Sequence, residues 1–373
     1  MAPNYEGKGA VTGRICRDLE ERGVNVVNVR VGGPNAGHTV LGKCPPSCGA
    51  ACGAGKHAWR LRQVPVAAVT ALGARLVIAA GSEVDPDVLA AELAALDAAG
   101  YGASDRLTVD QSATVLEWGH RDMESRSDLA ARLGSTAKGI GAARSERVWR
   151  TARTWGEYVK DVGGQPFDCV MWADTSAYLR IVLATDDHAV VIEGTQGYGL
   201  GLHTDNYPFV TSGDCRAIDF MSQAGVSPWQ LKCVEHDLKV VVCARPYPIR
   251  VAGNSGSLKN ETDWQSLGLP VEHTTVTQKV RRVGQWDSEL VRAALRENGA
   301  RQERAGVVWL ALTMMDSVEP ELRGSDWGQT GWVQRGVPAS TIPLMQSLGV
   351  DSRHLGYVGT GPDTAIVNER MYY

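Results

Sequence analysis

The segment GGPNAGHTV, residues 32–40, directly follows the apolar run of residues 24–31. A short apolar run bounded by glycine is typical of a buried strand. Sheets of α/β proteins bind their ligands in loops at the carboxyl ends of strands. This loop carries an amide, an imidazole and a hydroxyl, in Asn35, His38 and Thr39. We therefore expect a ligand site here, with His38 as a candidate general acid.

Outward from this segment, apolar runs that predict strands alternate with helical patterns. The predicted strands cover residues 24–31, 75–80, 189–193, 239–244 and 307–313. The predicted helices cover residues 10–22, 87–99, 143–154, 177–184 and 288–298. This alternation predicts an α/β fold with a largely parallel central sheet flanked by helices. No linker separates the halves, so we expect residues 1–373 to form one domain with a loop insertion at residues 43–57.

The composition excludes several classes of protein. Hydrophobic residues make up 43% of the chain and charged residues 21%, which excludes a disordered chain. The net charge is −4, so we expect no direct nucleic-acid partner. No stretch approaches the ~20 apolar residues of a membrane-spanning helix, and residues 1–6 carry no apolar signal core. We therefore expect a cytoplasmic protein with no membrane contact.

The insertion contains a cluster of potential metal ligands, Cys44, Cys48, Cys52 and His57. Three thiols and an imidazole could complete a tetrahedral zinc site. The spacing differs from the usual pair of cysteines separated by two residues, so a flexible insertion at a hairpin tip with free thiols is the favoured interpretation. A disulfide is not expected in a cytoplasmic chain.

Four other segments have residue types that suit phosphate, purine or carboxylate. EGKG, residues 6–9, precedes a predicted helix, and its glycines, the helix N-terminus and Lys8 suit a phosphate. GSTAKGIG, residues 134–141, has the same character. Gln196, in EGTQG at residues 193–197, could read a purine edge because its amide both donates and accepts. TTVTQKVRR, residues 274–282, suits carboxylates or phosphates, or is a solvated hairpin.

In their order along the chain, these segments resemble the adenylosuccinate synthetase family. NAGHT at residues 35–39 is a full match to a family hallmark, and EGKG, GSTAKGIG, EGTQG, YPFVTS at 207–212 and GTGPD at 359–363 are similar. The resemblance covers nearly the whole chain and implies the adenylosuccinate synthetase fold. It also implies a ligase that couples a 6-oxopurine nucleotide to L-aspartate. In that reaction the 6-oxygen takes the γ-phosphoryl group of a nucleoside triphosphate, and the aspartate amine then displaces phosphate from C6.

The resemblance also implies a role for each matching residue. His38, Lys8 and Gln196 would be catalytic. The purine nucleotide would be bound by Asn35, Ser135, Thr136, Arg150, Gln196 and Thr211, with Arg150 reaching across from the second subunit of a homodimer. Aspartate would be bound by Val251, Thr277, Lys279 and Arg281. The triphosphate donor would be bound by Glu6, Gly7, Lys8, Gly9, Gly37, His38, Thr39, Asp316, Gly361 and Pro362. Gly37 would offer its carbonyl oxygen to Mg²⁺.

The chain departs from the family pattern in two segments. Asn4 and Tyr5 stand where the family has Gly-Asp, and that aspartate takes the proton from purine N1 and touches Mg²⁺. A phenol with a pKa near ~10 is a poor base at pH 7. Gln278, Lys279 and Val280 stand where Gly-Arg-Arg is usual, and lysine cannot reproduce the bidentate contacts of arginine. The family also has a longer strand before this motif, where this chain has three residues ahead of Asn4.

These departures resemble the phage-type branch of the family, which acts on dGMP and starts the route to 2-aminoadenine DNA. The favoured hypothesis is a ligase that makes N6-succino-2-amino-2'-deoxyadenylate from dGMP and L-aspartate with ATP or dATP. An ordinary synthetase that uses IMP and GTP is the second hypothesis, and Asp316 could accept hydrogen bonds from a guanine donor base. A nucleotide-binding pseudoenzyme is the third. A virus-encoded chain would act in the host cytoplasm.

Overall fold

The computed structural model describes residues 7–46, 56–164, 166–167, 169–274, 278–301, 307–327, 332 and 335–372. The chain divides into two compact units, one of residues 12–230 and one of the described residues among 1–11 and 231–373. Each unit has its own sheet. The expectation of one domain over residues 1–373 stays a prediction.

Five parallel strands form the central sheet of the 12–230 unit. Their order across the sheet is β8 (Met171–Ala173), β6 (Leu107–Asp110), β4 (Arg75–Ile78), β1 (Asn25–Arg30) and β9 (His188–Glu193). In β1 every residue after Asn25 is buried. Near-continuous burial is what a parallel strand covered on both faces requires. The predicted largely parallel sheet is therefore confirmed.

Helices flank this sheet, as the sequence predicts. They are α1 (Gly7–Glu21), which begins before this unit, α2 (Ala67–Thr70), α3 (Pro86–Ala98), α4 (Trp118–Arg126), α5 (Leu129–Leu133), α6 (Ile140–Trp149), α7 (Trp155–Asp161), α8 (Thr175–Leu183) and α9 (Ala217–Gln223). The N-cap of α3 is Asp85, whose carboxylate accepts a hydrogen bond from the Val88 amide. Two short strands, β5 (Glu83–Val84) and β7 (Thr114–Val115), pair in parallel beside these helices.

The predicted helix over residues 143–154 is wrong at its C-terminal end. α6 ends at Trp149 because Arg150 adopts the left-handed conformation, with φ of 62°. Thr154 instead forms a capping box with Glu157: each side chain bonds the other's backbone amide, and α7 begins at Trp155. Such reciprocal bonds satisfy two backbone amides at a helix start.

The predicted insertion connects the two strands of an antiparallel hairpin, β2 (His38–Lys43) and β3 (Lys56–Leu61). Cys48 and Cys52 lie outside the described residues. Among the residues that the structure does describe, no three His, Cys, Asp or Glu side chains are grouped to hold a metal ion. The zinc and free-thiol interpretations both stay predictions.

The second unit contains a four-stranded sheet in the order β10 (Val240–Ala244), β14 (Val308–Leu312), β15 (Leu355–Gly359) and β16 (Ala365–Val367). The first three strands are parallel and β16 is antiparallel. A smaller antiparallel sheet orders β11 (Ile249–Arg250), β13 (Arg282–Gly284) and β12 (Glu261–Thr262). The helices are α10 (Val234–Asp237), α11 (Ser288–Glu297) and α12 (Thr341–Leu348). In the described part of the chain, no helix is both long and apolar enough to cross a membrane.

Candidate active site

Two neighbouring parallel strands, β1 and β9, end at the same edge of the sheet. Their last residues, Arg30 and Glu193, are paired across the ladder. The loops that follow carry the GGPNAGHT and GTQG segments. Because ligands of parallel α/β sheets bind outside the carboxyl ends of the strands, this edge is the candidate site of the 12–230 unit.

One pocket opens here, and it brings together predicted residues from three separate motifs. Asn35, Gln196 and Thr211 all line it. The other lining residues are Gly33, Ile140, Arg144, Thr195, Asp214, Cys215, Phe220 and Gln223. The enclosed part of the pocket is small, about 10 Å³, and most of its remaining space is open to solvent. Its amide, hydroxyl and charged groups beside two apolar side chains suit a small polar ligand with an apolar ring.

The backbone of the two loops is specialised for close approach. Gln196 has φ of 64°, in the left-handed region, where a non-glycine residue costs ~1–3 kcal/mol and is found mostly at functional sites. Gly32 has φ of 130°, and a Cβ there would lie 2.5 Å from Thr195 Oγ1. Only glycine therefore allows the loop after β1 to pack against the loop after β9.

His38 is buried at the start of β2 beside an ion pair. Its Nδ1 lies 3.0 Å from Glu193 Oε2, and Arg30 Nη1 contacts the same ring nitrogen. Arg30 Nη1 is 3.6 Å from Glu193 Oε2, and Arg30 Nη2 donates to the Ala36 carbonyl at 2.6 Å. A carboxylate at Nδ1 fixes the orientation of an imidazole whose other nitrogen performs acid–base work. Thr39, the next residue, is also buried.

The partners of His38 had no role in the sequence analysis. In the sequence, Glu193 is the first residue of EGTQG and Arg30 lies in an apolar run, and neither pattern predicts a role for the side chain. Both side chains are almost fully buried, at 1% exposure for Arg30 and none for Glu193. Charged residues at the ends of two apolar strands were the available signal, because such residues are buried only when paired.

The GSTAKGIG loop does not offer an open helix N-terminus to a phosphate. The Glu124 carboxylate accepts hydrogen bonds from the Gly139 amide at 2.6 Å, the Gly141 amide at 2.7 Å and the Ala142 amide at 3.3 Å. This buried side chain already compensates the positive end of α6. Ser135 and Thr136 precede these amides and do not line the pocket. Their phosphate contacts stay predictions that depend on their hydroxyls.

Arg150 lies apart from the pocket of its own chain. It is exposed just after α6, and its Nη1 donates to the Val148 carbonyl at 2.7 Å. It is absent from the residues that line the pocket. This position is compatible with the predicted role across a subunit interface, which stays a prediction.

In the second unit, predicted donor-site residues follow neighbouring parallel strands. Asp316 comes after β14, and Gly361 and Pro362 come after β15. Lys8 lies in the first turn of α1, and its ammonium is near the Cys243 thiol. Burial raises the pKa of Cys243 to about 11, although Lys8 by itself lowers it. The carboxyl ends of β14 and β15 are therefore the candidate donor site of this unit.

For the remaining predicted residues, the structure shows little that bears on their predicted roles. Gly7 and Gly9 flank Lys8 in α1, and Gly37 is buried just before β2. Val251 and Lys279 are exposed, and Arg281 Nε donates to the His273 carbonyl at 3.3 Å. Glu6, Tyr5 and Thr277 lie outside the described residues. The roles of all these residues stay predictions.

Comparisons with known proteins agree with this arrangement. The adenylosuccinate synthetase family model matches residues 5–165 and 165–319. The adenylosuccinate synthetase of Methanocaldococcus jannaschii is 33% identical over 322 residues, which cover 86% of this chain and 81% of the relative. That of Pyrococcus horikoshii is 30% identical over 372 residues, covering 98% and 95%.

Two solved structures are similar over nearly the whole chain. The succinoaminodeoxyadenylate synthetase of cyanophage S-2L, bound to dGMP and to dATP as an energy donor, has a TM-score of 0.72 and 25% identity, with 97% of this chain and 91% of that chain covered. The fully ligated adenylosuccinate synthetase of Plasmodium falciparum has a TM-score of 0.70 and 17% identity, with 98% of each chain covered, and supports the fold alone. Together with the family model, these similarities establish that the chain belongs to the adenylosuccinate synthetase family and is a C–N ligase.

Proposed function

We propose that this ligase joins L-aspartate to C6 of dGMP and cleaves ATP or dATP. The products are N6-succino-2-amino-2'-deoxyadenylate, a nucleoside diphosphate and phosphate. The observation that carries the proposal is the pocket that Asn35, Gln196 and Thr211 line together. An amide that both donates and accepts can read the 6-oxo and N1–H edge of a purine, and a hydroxyl and a second amide can bind its phosphate.

The proposed chemistry gives each group a defined task. The 6-oxygen of the purine attacks the γ-phosphorus while the N1 proton passes to water, and the bond from that phosphorus to the bridging oxygen of the nucleoside diphosphate breaks. His38 stabilises and protonates the transferring phosphoryl region, held in orientation by Glu193. The aspartate nitrogen then attacks C6, and the phosphate leaves with the former 6-oxygen. Gln196 holds the purine in place during both steps.

Magnesium is part of this proposal. Mg²⁺ uses hard oxygen ligands and usually takes only one or two from the protein, the rest being phosphates and water. The Gly37 carbonyl oxygen would be one such ligand, and its place in the glycine loop beside His38 fits a metal bound mainly by the triphosphate. When bound, the ion would neutralise charge on the phosphates.

Two observations favour different substrates for this pocket. The likeness to the cyanophage enzyme supports dGMP with an adenine donor. The archaeal relatives are named as ordinary synthetases, which supports IMP with GTP as the second candidate. Guanine differs from hypoxanthine by its 2-amino group, a donor that costs ~1–3 kcal/mol if it is buried without an acceptor. We favour dGMP because Tyr5 replaces the family's aspartate and Lys279 replaces an arginine.

We expect dGMP to be used at least about tenfold better than IMP by kcat/KM, with aspartate required. Each nucleotide is assayed with aspartate and with ATP, dATP or GTP. Phosphate release gives the rate, and mass spectrometry identifies the succino product. Reactions without aspartate are the control. A higher kcat/KM for IMP would identify an ordinary purine-synthesis enzyme, and no phosphate release with any combination would favour the pseudoenzyme.

We further propose a two-fold homodimer in which Arg150 serves the partner's active site. The two residues before Arg150 are exposed and apolar, Val148 at 67% and Trp149 at 75%. The helix α4, which packs against α6, also exposes Trp118 at 72% and Met123 at 55%. Exposed aromatic side chains next to an arginine are typical of protein interfaces.

Mixing two inactive variants tests this arrangement. In a dimer of Arg150→Ala with His38→Ala, one of the two active sites keeps both its own His38 and the partner's Arg150. Equal mixing after reversible dissociation is therefore expected to restore up to about a quarter of wild-type activity. Trp149→Glu is expected to give monomers by light scattering. The control is Trp229→Glu, which replaces an exposed tryptophan that lies on neither α4 nor α6. Full activity of a monomeric wild type would contradict the proposal.

A further inference from the structure

Arg144 is a cationic side chain of the pocket that none of the sequence motifs predicts. It lies on α6 and lines the pocket with Asn35, Gln196 and Thr211. Its Nε donates to Glu83 Oε1 at 2.7 Å and its Nη2 to Glu83 Oε2 at 3.4 Å. Burial alone lowers the pKa of Arg144, but the Glu83 carboxylate outweighs that effect and the pKa is raised. The guanidinium is therefore charged and held in one orientation.

The third nitrogen of this guanidinium, Nη1, is directed at the loop that carries Thr211. Among the described residues, no acceptor bonds it, whereas Nε and Nη2 are both used. It lies so close to Gly213 that a Cβ at that position would overlap it. Gly213 therefore leaves the space that Nη1 occupies, and the backbone there is not in a conformation reserved for glycine.

The charges around the pocket favour an anionic ligand near Nη1. The acid that lines the pocket, Asp214, accepts from Arg216 Nη2 at 2.9 Å and from the Cys215 amide at 2.7 Å. The carboxylate of Glu83 is used by the other side of the Arg144 guanidinium. The hydroxyl of Thr211 and the amide of Asn35, which line the same pocket, are additional donors. An unused guanidinium N–H with such donors is the pattern that binds a phosphate monoester.

We infer that Arg144 binds the 5'-phosphate of the purine nucleotide through Nη1, within its own subunit. The inference rests on the proposed function, because it assigns a residue to the same nucleotide pocket. Glu83 is then a positioning residue, which fixes Nε and Nη2 so that Nη1 is presented to the ligand. The competing explanation is that the Arg144–Glu83 pair only attaches α6 to β5.

Binding measurements that separate the phosphate from the rest of the nucleotide distinguish the two. We compare dGMP with deoxyguanosine by isothermal titration calorimetry, using competition against dGMP for the weaker ligand. Arg144→Gln is expected to weaken dGMP about 10- to 100-fold, as the loss of a charge-assisted bond predicts. Its effect on deoxyguanosine should be less than about threefold, because that ligand has no phosphate. Arg180→Gln, which removes an exposed arginine from α8, is the matched control and should change neither.

Gly213→Ala provides a test that leaves the charge in the protein. The added Cβ displaces only the end of the Arg144 side chain, so the fold should survive while dGMP binding weakens and deoxyguanosine binding does not. Equal weakening of both ligands, or unchanged dGMP binding in both variants, would overturn the inference in favour of a structural pair. If Arg144→Gln does not fold, Gly213→Ala decides alone. A wild type that binds neither dGMP nor IMP would instead overturn the proposed function.

Discussion

Replacing His38 with alanine is expected to lower kcat by about 10²–10⁴-fold, the usual contribution of a general acid or base. The imidazole is buried between Glu193 and the glycine loop, and Nδ1 is engaged by Glu193 and Arg30. We expect the other ring nitrogen, Nε2, to transfer the proton. The dissociation constant of the purine nucleotide should change by less than about threefold, because His38 does not line the purine pocket. Steady-state phosphate release and calorimetry measure the two quantities.

His188→Ala is the matched control for this variant. His188 occupies the first position of β9, at the opposite end of the strand from Glu193, and bonds Asp187 and Thr185 instead. Its replacement should leave kcat unchanged. A His38→Ala enzyme within about threefold of the wild-type rate would remove the histidine from the chemistry. Circular dichroism establishes that the variant is folded before its rate is compared.

The sequence predicted the elements that surround the site well, because buried parallel strands are continuous apolar runs. The predicted strand at residues 24–31 is observed as Asn25–Arg30, and that at 189–193 as His188–Glu193. The strands β6 and β8 were not predicted, because strands of three or four residues are too short to show a clear hydrophobic pattern. The predicted end of the helix at residue 154 failed because the left-handed Arg150 is not a glycine, so no residue type marked the stop.

Site residues that belong to sequence motifs were predicted, whereas residues whose role depends on contacts with distant parts of the chain were not. Asn35, Gln196 and Thr211 belong to recognisable segments, and they meet in one pocket. Arg144 depends on Glu83, which lies 61 positions earlier, and nothing local distinguishes it from the exposed Arg147. The same applies to Glu124 on α4. Its carboxylate accepts hydrogen bonds at the N-terminus of α6, where residues 134–141 predict a phosphate site.

Glu193→Ala is expected to lower the free energy of unfolding by about 3–5 kcal/mol, the cost of leaving a buried charge without its partner. Glu193 is completely buried, and Arg30 is 1% exposed. The substitution also removes the acceptor of the Val66 amide, which bonds Glu193 Oε1 at 3.0 Å. Urea unfolding followed by circular dichroism measures the change. Asp161→Ala, at a carboxylate that is 64% exposed, should cost far less because exposed ion pairs contribute at most ~1 kcal/mol.

Two further variants identify the unpaired charge as the cause. Glu193→Gln keeps an acceptor for the Val66 amide, so its smaller loss isolates the electrostatic part from the hydrogen bond. The double variant Arg30→Met with Glu193→Ala removes both charges of this pair, and we expect it to be more stable than Glu193→Ala alone. If the double variant is instead the less stable of the two, the ion pair is not what Glu193 contributes, and the loss comes from packing at the end of β9. His38 shares Glu193 Oε2, so we expect its imidazole to lose its orientation in all three variants. Each variant should therefore lower kcat as well as stability.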